Sequence, residues 1–306
     1  MIKIHFAPLQ GYTEDAYRRI HNKFVGGVCT YYTPFIRLEH GGLRSKDMRD
    51  IKPEYNEGVN VVPQIIACDG KEFADVLGTV RELGYTRVDV NMGCPFTLQT
   101  RHGRGAGLLA NVDKVKEICD IIRSTDNINF SVKMRLGYES PNEWRGVLPV
   151  LNDTPLTHIV VHPRIATQQY RGAVDMDAFE EILNLSSVPI IYNGDITTLE
   201  DIRRIETTYP DLAGVMIGRG LLARPSLARE YVDGKEWTRA QRFSLVRSIH
   251  AELLTHTQNV ISNEIQLLNK VRSFWEYMEP ELGKKPYKKI MKAGNLKNYL
   301  KAIEEL

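Results

Sequence analysis

Cysteine is scarce and scattered in this chain of 306 residues: Cys29, Cys68, Cys94 and Cys119 lie far apart and form no CxxC pair. A chain this long needs no disulfide staples, and the spacing gives no zinc or iron–sulfur motif, so no metal site is expected. Also missing is any apolar run long enough for a membrane span or secretory leader; Met1-Ile2-Lys3-Ile4-His5-Phe6 runs straight into strand-like sequence. A cytoplasmic protein with no membrane contact and no required protein partner is expected. No repeat of solenoid period and no low-complexity tract occurs. Net charge is nearly absent too, at +2, but it is unevenly placed. Residues 235–306 hold 13 of the 40 Lys/Arg and 8 of the 38 Asp/Glu, which leaves 27 against 30 in the body. A basic tail behind a mildly acidic body fits a nucleic-acid partner, although a basic helical surface is often only a solvated face.

What is present is a globular composition, 42% hydrophobic and 25% charged. Eight strand-like segments recur with helix-like segments between them: Ile4–Pro8, Val28–Thr33, Val59–Ile66, Arg87–Asn91, Asn129–Met134, His158–His162, Pro189–Asn193 and Gly214–Gly218. That alternation predicts an α/β fold, a (β/α)₈ TIM barrel. Asp69-Gly70-Lys71-Glu72 reads as a capping box ahead of Phe73, Val76, Leu77, Val80 and Leu83, and Thr197-Thr198-Leu199-Glu200 repeats it. From Arg239 the pattern is helical, broken at Pro280, Gly283 and Pro286 before a last basic helix from about Lys288. The division expected is a catalytic barrel over 1–234 and a small C-terminal helical domain over 235–306.

Barrel active sites sit at the C-terminal ends of the strands, and here those ends are polar. In Arg87-Val88-Asp89-Val90-Asn91-Met92-Gly93-Cys94-Pro95 a strand delivers a thiol just past a tight turn, with Asp89 and Asn91 on one face. Lys133 and Arg135, two apart on the fifth strand, point the same way and repel unless an anion lies near; pairing of Lys133 with Asp89 or Asp195 is the alternative. Asn193-Gly194-Asp195 and Gly218-Arg219-Gly220 follow strands seven and eight, where barrels often bind phosphate. His162 ends the sixth strand, and a neutral imidazole there suits a cofactor ring. The glycine-rich loop His102-Gly103-Arg104-Gly105-Ala106-Gly107 is expected to flex over the site; it follows a loop and not a strand, so it is no dinucleotide fingerprint.

Together these stretches resemble the dihydrouridine synthases, flavin-dependent enzymes that reduce uridine in RNA. Ala7-Pro8-Leu9-Gln10-Gly11-Tyr12-Thr13-Glu14 is similar to the opening motif, with Leu9 where methionine is usual. Asn91-Met92-Gly93-Cys94-Pro95 resembles the active-site motif, and Val132-Lys133-Met134-Arg135-Leu136-Gly137 the fifth-strand motif. His162-Pro163-Arg164, Gln169-Tyr170-Arg171-Gly172, Asn193-Gly194-Asp195-Ile196 and Met216-Ile217-Gly218-Arg219-Gly220 complete the set. The resemblance implies FMN cradled by Pro8, Leu9, Gln10 and Gln64, with Lys133 at the electron-rich edge of its ring and His162 against it. It implies ribityl and phosphate held by Asn193, Gly194, Asp195, Gly218 and Arg219. By the same resemblance NADPH reduces the flavin, which passes hydride to C6 of a flipped uracil; Asn91 binds that base and Cys94 protonates C5. Arg135, Arg164, Arg171, Lys270 and Arg272 are the residues implied for RNA, transfer RNA by default. The chain departs from the pattern in Tyr32-Thr33-Pro34-Phe35, without the usual acidic residue, and in Phe96-Thr97-Leu98-Gln99, without the usual lysine.

Three other readings stand beside this one. An FMN barrel oxidoreductase acting on a free small molecule, of the dihydroorotate dehydrogenase kind, would use the same cysteine and lysine. A Schiff-base aldolase built on Lys133 would be colourless. A non-catalytic RNA-binding barrel would have no need for Cys94.

Overall fold

The computed structural model describes residues 1–306. Eight parallel strands close a barrel: β1 (Ile4–Phe6), β2 (Thr30–Tyr32), β3 in two halves (Val61–Val62 and Gln64–Ile65), β4 (Arg87–Met92), β5 (Asn129–Gly137), β6 (Leu156–Ile165), β7 (Ile190–Tyr192) and β8 (Gly214–Ile217). The first half of β3 pairs with β2 and the second with β4, so the ring closes through the third strand. Pro63 divides the two halves because it has no N–H to give a ladder; its carbonyl still accepts from Asp89 N at 2.9 Å. The predicted eight strands are therefore present. The fifth and sixth run three residues beyond the predicted ends, which moves Arg135 and His162 from strand termini into the strands themselves.

Helices clothe the outside. Phe73, Val76 and Val80 of the helix Gly70–Glu82 are fully buried against the sheet, each contributing roughly 1.5–3 kcal/mol. Its cap is half of the predicted box: Asp69 accepts from Glu72 N, but the Glu72 carboxylate turns to Cys68 N and Arg104. The second box is complete one residue later than predicted, between Thr198 and Asp201, and not between Thr197 and Glu200.

Helices α1 (Asp15–Phe24), α2 (Arg239–Val260) and α3 (Glu264–Ser273) join barrel to tail. Leu245 and Ile249 of α2 belong to the barrel core, whereas Val246 belongs to a second core around Trp275, Met278 and Tyr299. The Tyr299 hydroxyl knits that core, meeting the His250 ring at 2.5 Å and accepting from Trp275 Nε1 at 2.7 Å. Pro280 and Pro286 start helices where breaks were predicted: Pro280 stands in the first turn of Glu279–Leu282, and Pro286 early in Lys284–Met291. No helix is long and apolar enough to cross a membrane.

Candidate active site

Parallel register puts the chemistry on one wall of the barrel. Gln64 stands beside Asp89, Asn91 beside Lys133, and Arg135 beside His162. A chain of hydrogen bonds runs up this wall: Ser131 Oγ and Gln64 Nε2 donate to the two Asp89 oxygens at 2.6 and 2.7 Å, and Asn91 Nδ2 donates to Gln64 Oε1 at 2.7 Å. Asn91 Oδ1 then accepts from Gly93 N at 3.0 Å and Cys94 N at 2.8 Å. Asn91 thus shapes the cysteine turn and keeps one amide hydrogen for a ligand.

Above this wall opens a cavity of about 580 Å³ at the C-terminal mouth. Such a volume suits a cofactor together with part of a substrate. Cys94 and Lys133 both line it, so thiol and amine face one chamber. Pro8, Leu9 and Gln10 form one side, with Gln10 anchored by donation to Phe35 O at 2.9 Å. Gln64, Asn91, Arg135 and His162 line it from the strands. Asn193, Gly194, Asp195, Gly218 and Arg219 close the far side, and Asn193 Nδ2 donates to Met216 O at 2.7 Å.

The charges are unequal in their commitments. Lys133 makes no hydrogen bond or ion pair to the protein: Asp89 is taken by Ser131 and Gln64, and Asp195 by Arg164 and Arg219 at 3.0 Å. Neither predicted alternative partner is used. Burial, and then the nearby Arg135, lower the Lys133 pKa to about 8. Burial pushes the Cys94 thiol up to about 11 and Asp89 up to about 6. His162 is held well below its ordinary value by burial and by the cations around it, so its ring is neutral. It stacks on Tyr170 at 6.2 Å, and the Arg219 guanidinium lies over the same phenol at 4.3 Å.

Four predicted residues do not reach this chamber. Arg164 is buried and bonded to Asp195, His162 and Gly172 O. Arg272 donates to Ala293 O inside the helical region, Lys270 pairs with Glu14, and Arg171 is exposed beside the mouth. Arg135 does line the chamber; its Nε and Nη1 donate to Gly93 O, Ile165 O and Gln169 O, and its Nη2 makes no hydrogen bond to the protein. Through these bonds Arg135, Arg164 and Arg272 each tie backbone segments together in the fold. The glycine-rich loop is packed at its end and open at its start: Ala106 N donates to Cys94 O at 3.1 Å and Ala106 is buried, whereas His102 is exposed. Sequence reasoning missed Tyr12, Tyr277 and Phe96 as lining residues. Phe96 had a readable signal, its place two residues after Cys94; Tyr277 had none, because only the tertiary fold brings the tail over the barrel.

The family model for dihydrouridine synthase (Dus) matches residues 5–305. The chain belongs to the dihydrouridine synthase family. It is 31% identical over 240 residues to tRNA-dihydrouridine(16) synthase of Pseudomonas syringae pv. tomato, covering 75% of this chain and 74% of that one. It is 28% identical over 242 residues to tRNA-dihydrouridine synthase B of Pasteurella multocida, covering 74% and 68%. Among solved structures, morphinone reductase in complex with tetrahydroNAD is similar in fold, with a TM-score of 0.56 at 7% identity over 77% of this chain and 88% of that one. Membership makes this dihydrouridine synthase an enzyme and removes the aldolase and non-catalytic readings.

Proposed function

We propose that this chain reduces uridine in transfer RNA to 5,6-dihydrouridine, with FMN as cofactor and NADPH as reductant. The observation that carries the reading is an unpartnered ammonium and a protonated thiol facing one chamber. A half-buried cation without a partner is costly, and an anionic ring edge or phosphate is what relieves it. The far side also fits a cofactor: a Cβ on Gly218 would press Ala7 and Leu9 at 3.3 Å, leaving a small-residue cradle beside the partly exposed Arg219. In this reading Pro8, Leu9, Gln10, Gln64 and His162 hold the ring, Lys133 its electron-rich edge, and Asn193, Gly194, Asp195, Gly218 and Arg219 the ribityl phosphate. When bound, the flavin supplies hydride to uracil C6 at the expense of NADPH.

The protein's own part is positioning and proton delivery. Cys94 holds its proton across the neutral range and gives it to uracil C5. Asn91 offers its remaining amide hydrogen to the base and keeps the thiol in place. The base has to leave its stack to enter the chamber. Arg171 from the barrel part and Lys270 from the tail meet the RNA backbone, so the two sides of the division at 234/235 share RNA holding while the chemistry lies in the barrel. The test is to load the protein with FMN, reduce it with NADPH, and add unmodified transfer RNA or free uridine. Flavin reoxidation and dihydrouridine formation with transfer RNA alone are expected; equal reoxidation by free pyrimidines, without response to RNA, would establish the small-molecule oxidoreductase instead.

A further inference from the structure

Two large apolar side chains stand in water at the edge of the catalytic chamber. Phe96 is 54% and Leu98 71% exposed, in the stretch that follows the thiol turn, and Phe96 also lines the chamber two residues beyond Cys94. The short helix Thr97–Thr100 fixes them there: Gln99 and Thr100 are buried, and Gln99 N and Thr100 N donate to Phe96 O at 2.8 and 3.1 Å. Gly107 lets the next loop seat this helix closely, since a Cβ there would lie 2.6 Å from Thr100 O. The pair is held on a fixed platform, so little order is lost when a partner packs against it.

The surroundings select the partner. Arg101 and His102, next along the chain, are exposed, and Arg101 makes no ion pair, Glu72 being taken by Arg104. An apolar pair beside a free cation, at the lip of a chamber that takes in an extruded base, matches nucleic acid: phosphates answer the charge and unstacked base faces answer the ring. Extruding a base leaves its neighbours without a stacking partner, and an inserted apolar side chain replaces it. We propose that Phe96, backed by Leu98, enters the gap that the target uridine vacates in the RNA and stacks on the neighbouring base. This deepens the reading of the chamber as a uracil site and rests on it. Because Phe96 and Cys94 are two residues apart and face one chamber, the ring that fills the gap also keeps the uracil from returning to its stack while the thiol gives up its proton.

The test uses flavin-loaded, oxidised protein, so that binding is read without turnover, and unmodified transfer RNA in a filter-binding assay. Phe96→Ala should weaken binding about tenfold, the loss of one stacked base, and Phe96→Trp should restore it to within about threefold of wild type. Leu185→Ala, which removes an apolar residue of similar exposure (56%) at the end of the helix Met176–Leu185, should leave it unchanged. With p-benzoylphenylalanine in place of Phe96, illumination should crosslink the protein to the nucleotide beside the uridine that wild type reduces, mapped by primer extension. Equal affinity of wild type and Phe96→Ala, or a crosslink remote from that uridine, overturns the proposal. So does a wild-type dimer in sedimentation velocity that Phe96→Ala and Leu98→Ala dissociate at unchanged affinity for RNA, which would make the pair a contact between copies of the chain. Binding that depends on Phe96, with no dihydrouridine formed by wild type, would end the functional reading and leave the RNA contact standing. Dihydrouridine formed by wild type, with RNA affinity unchanged in Phe96→Ala, would do the reverse.

Discussion

At the scale of the residue, two side chains carry opposite burdens. Cys94 is kept as a thiol by burial, so it is a weak acid that is always loaded near neutrality. Cys94→Ala should retain flavin and NADPH oxidation yet lose uridine reduction by about 10²-fold or more, read as dihydrouridine formed per flavin reduced. A rate unchanged from wild type would show the acid to be misassigned. Lys133 is a cation stored without a partner, so its charge works against folding until an anion arrives. Lys133→Met should therefore stabilise the cofactor-free protein by on the order of 1–3 kcal/mol in urea denaturation while weakening flavin binding. The charged form exists below its pKa of about 8, so flavin retention in wild type should fall as pH rises from 7 to 9. That pH dependence should vanish in Lys133→Met.

At the scale of the element, the turn after β4 is built by contact from a neighbouring loop. Gly105 has φ +60°, and a Cβ there would lie 2.8 Å from the Cys94 Cβ. The glycine permits both the left-handed backbone and the close approach. Gly105→Ala should destabilise the fold by about 1–2 kcal/mol from the backbone alone. It should also lower uridine reduction by at least tenfold by displacing the thiol, since a shift of about 1 Å at a reacting group can cost about 10²-fold. Thermal melting and turnover measured together separate the two effects; a variant with the expected loss of stability but full turnover would show that the loop does not place Cys94. The same logic of close approach holds Gly220, whose Cβ would collide with Ile196 O and force apart the loops after β7 and β8.

At the scale of the whole molecule, folding buries histidines as neutral rings. Burial lowers His5 to about 3 and His21, His158 and His250 to about 4, and His162 stands well below its ordinary value. In the unfolded chain these rings titrate near 6.5. Their contribution is thus fully present above that pH and is lost as pH falls toward 4, because the unfolded state takes up protons that the folded state refuses. Each such ring forfeits up to about 1.4 kcal/mol per pH unit. Asp50 and Asp89, raised to about 6 by burial, act in the opposite sense between about 6 and 4, but they are two against five. The melting temperature should consequently be several degrees lower at pH 5 than at pH 7 in differential scanning calorimetry. An equal or higher value at pH 5 would mean that these rings are charged or wet in the folded protein.

The barrel was legible because strand and helix periods are local, and so were the residues at strand ends: fourteen of the eighteen named from sequence line one chamber. Periodicity says which residues sit at the mouth, because neighbours along a strand alternate faces by geometry alone. It does not say which partner each polar group has taken. Arg135 and Arg164 read as free cations in sequence and are tied to carbonyls and Asp195 in the fold; Lys133 read as one of a pair and is the one left without a partner. Local sequence determined the strands and the thiol turn; the tertiary structure decided which charges remain available, since pairing at a distance depends on where the chain returns.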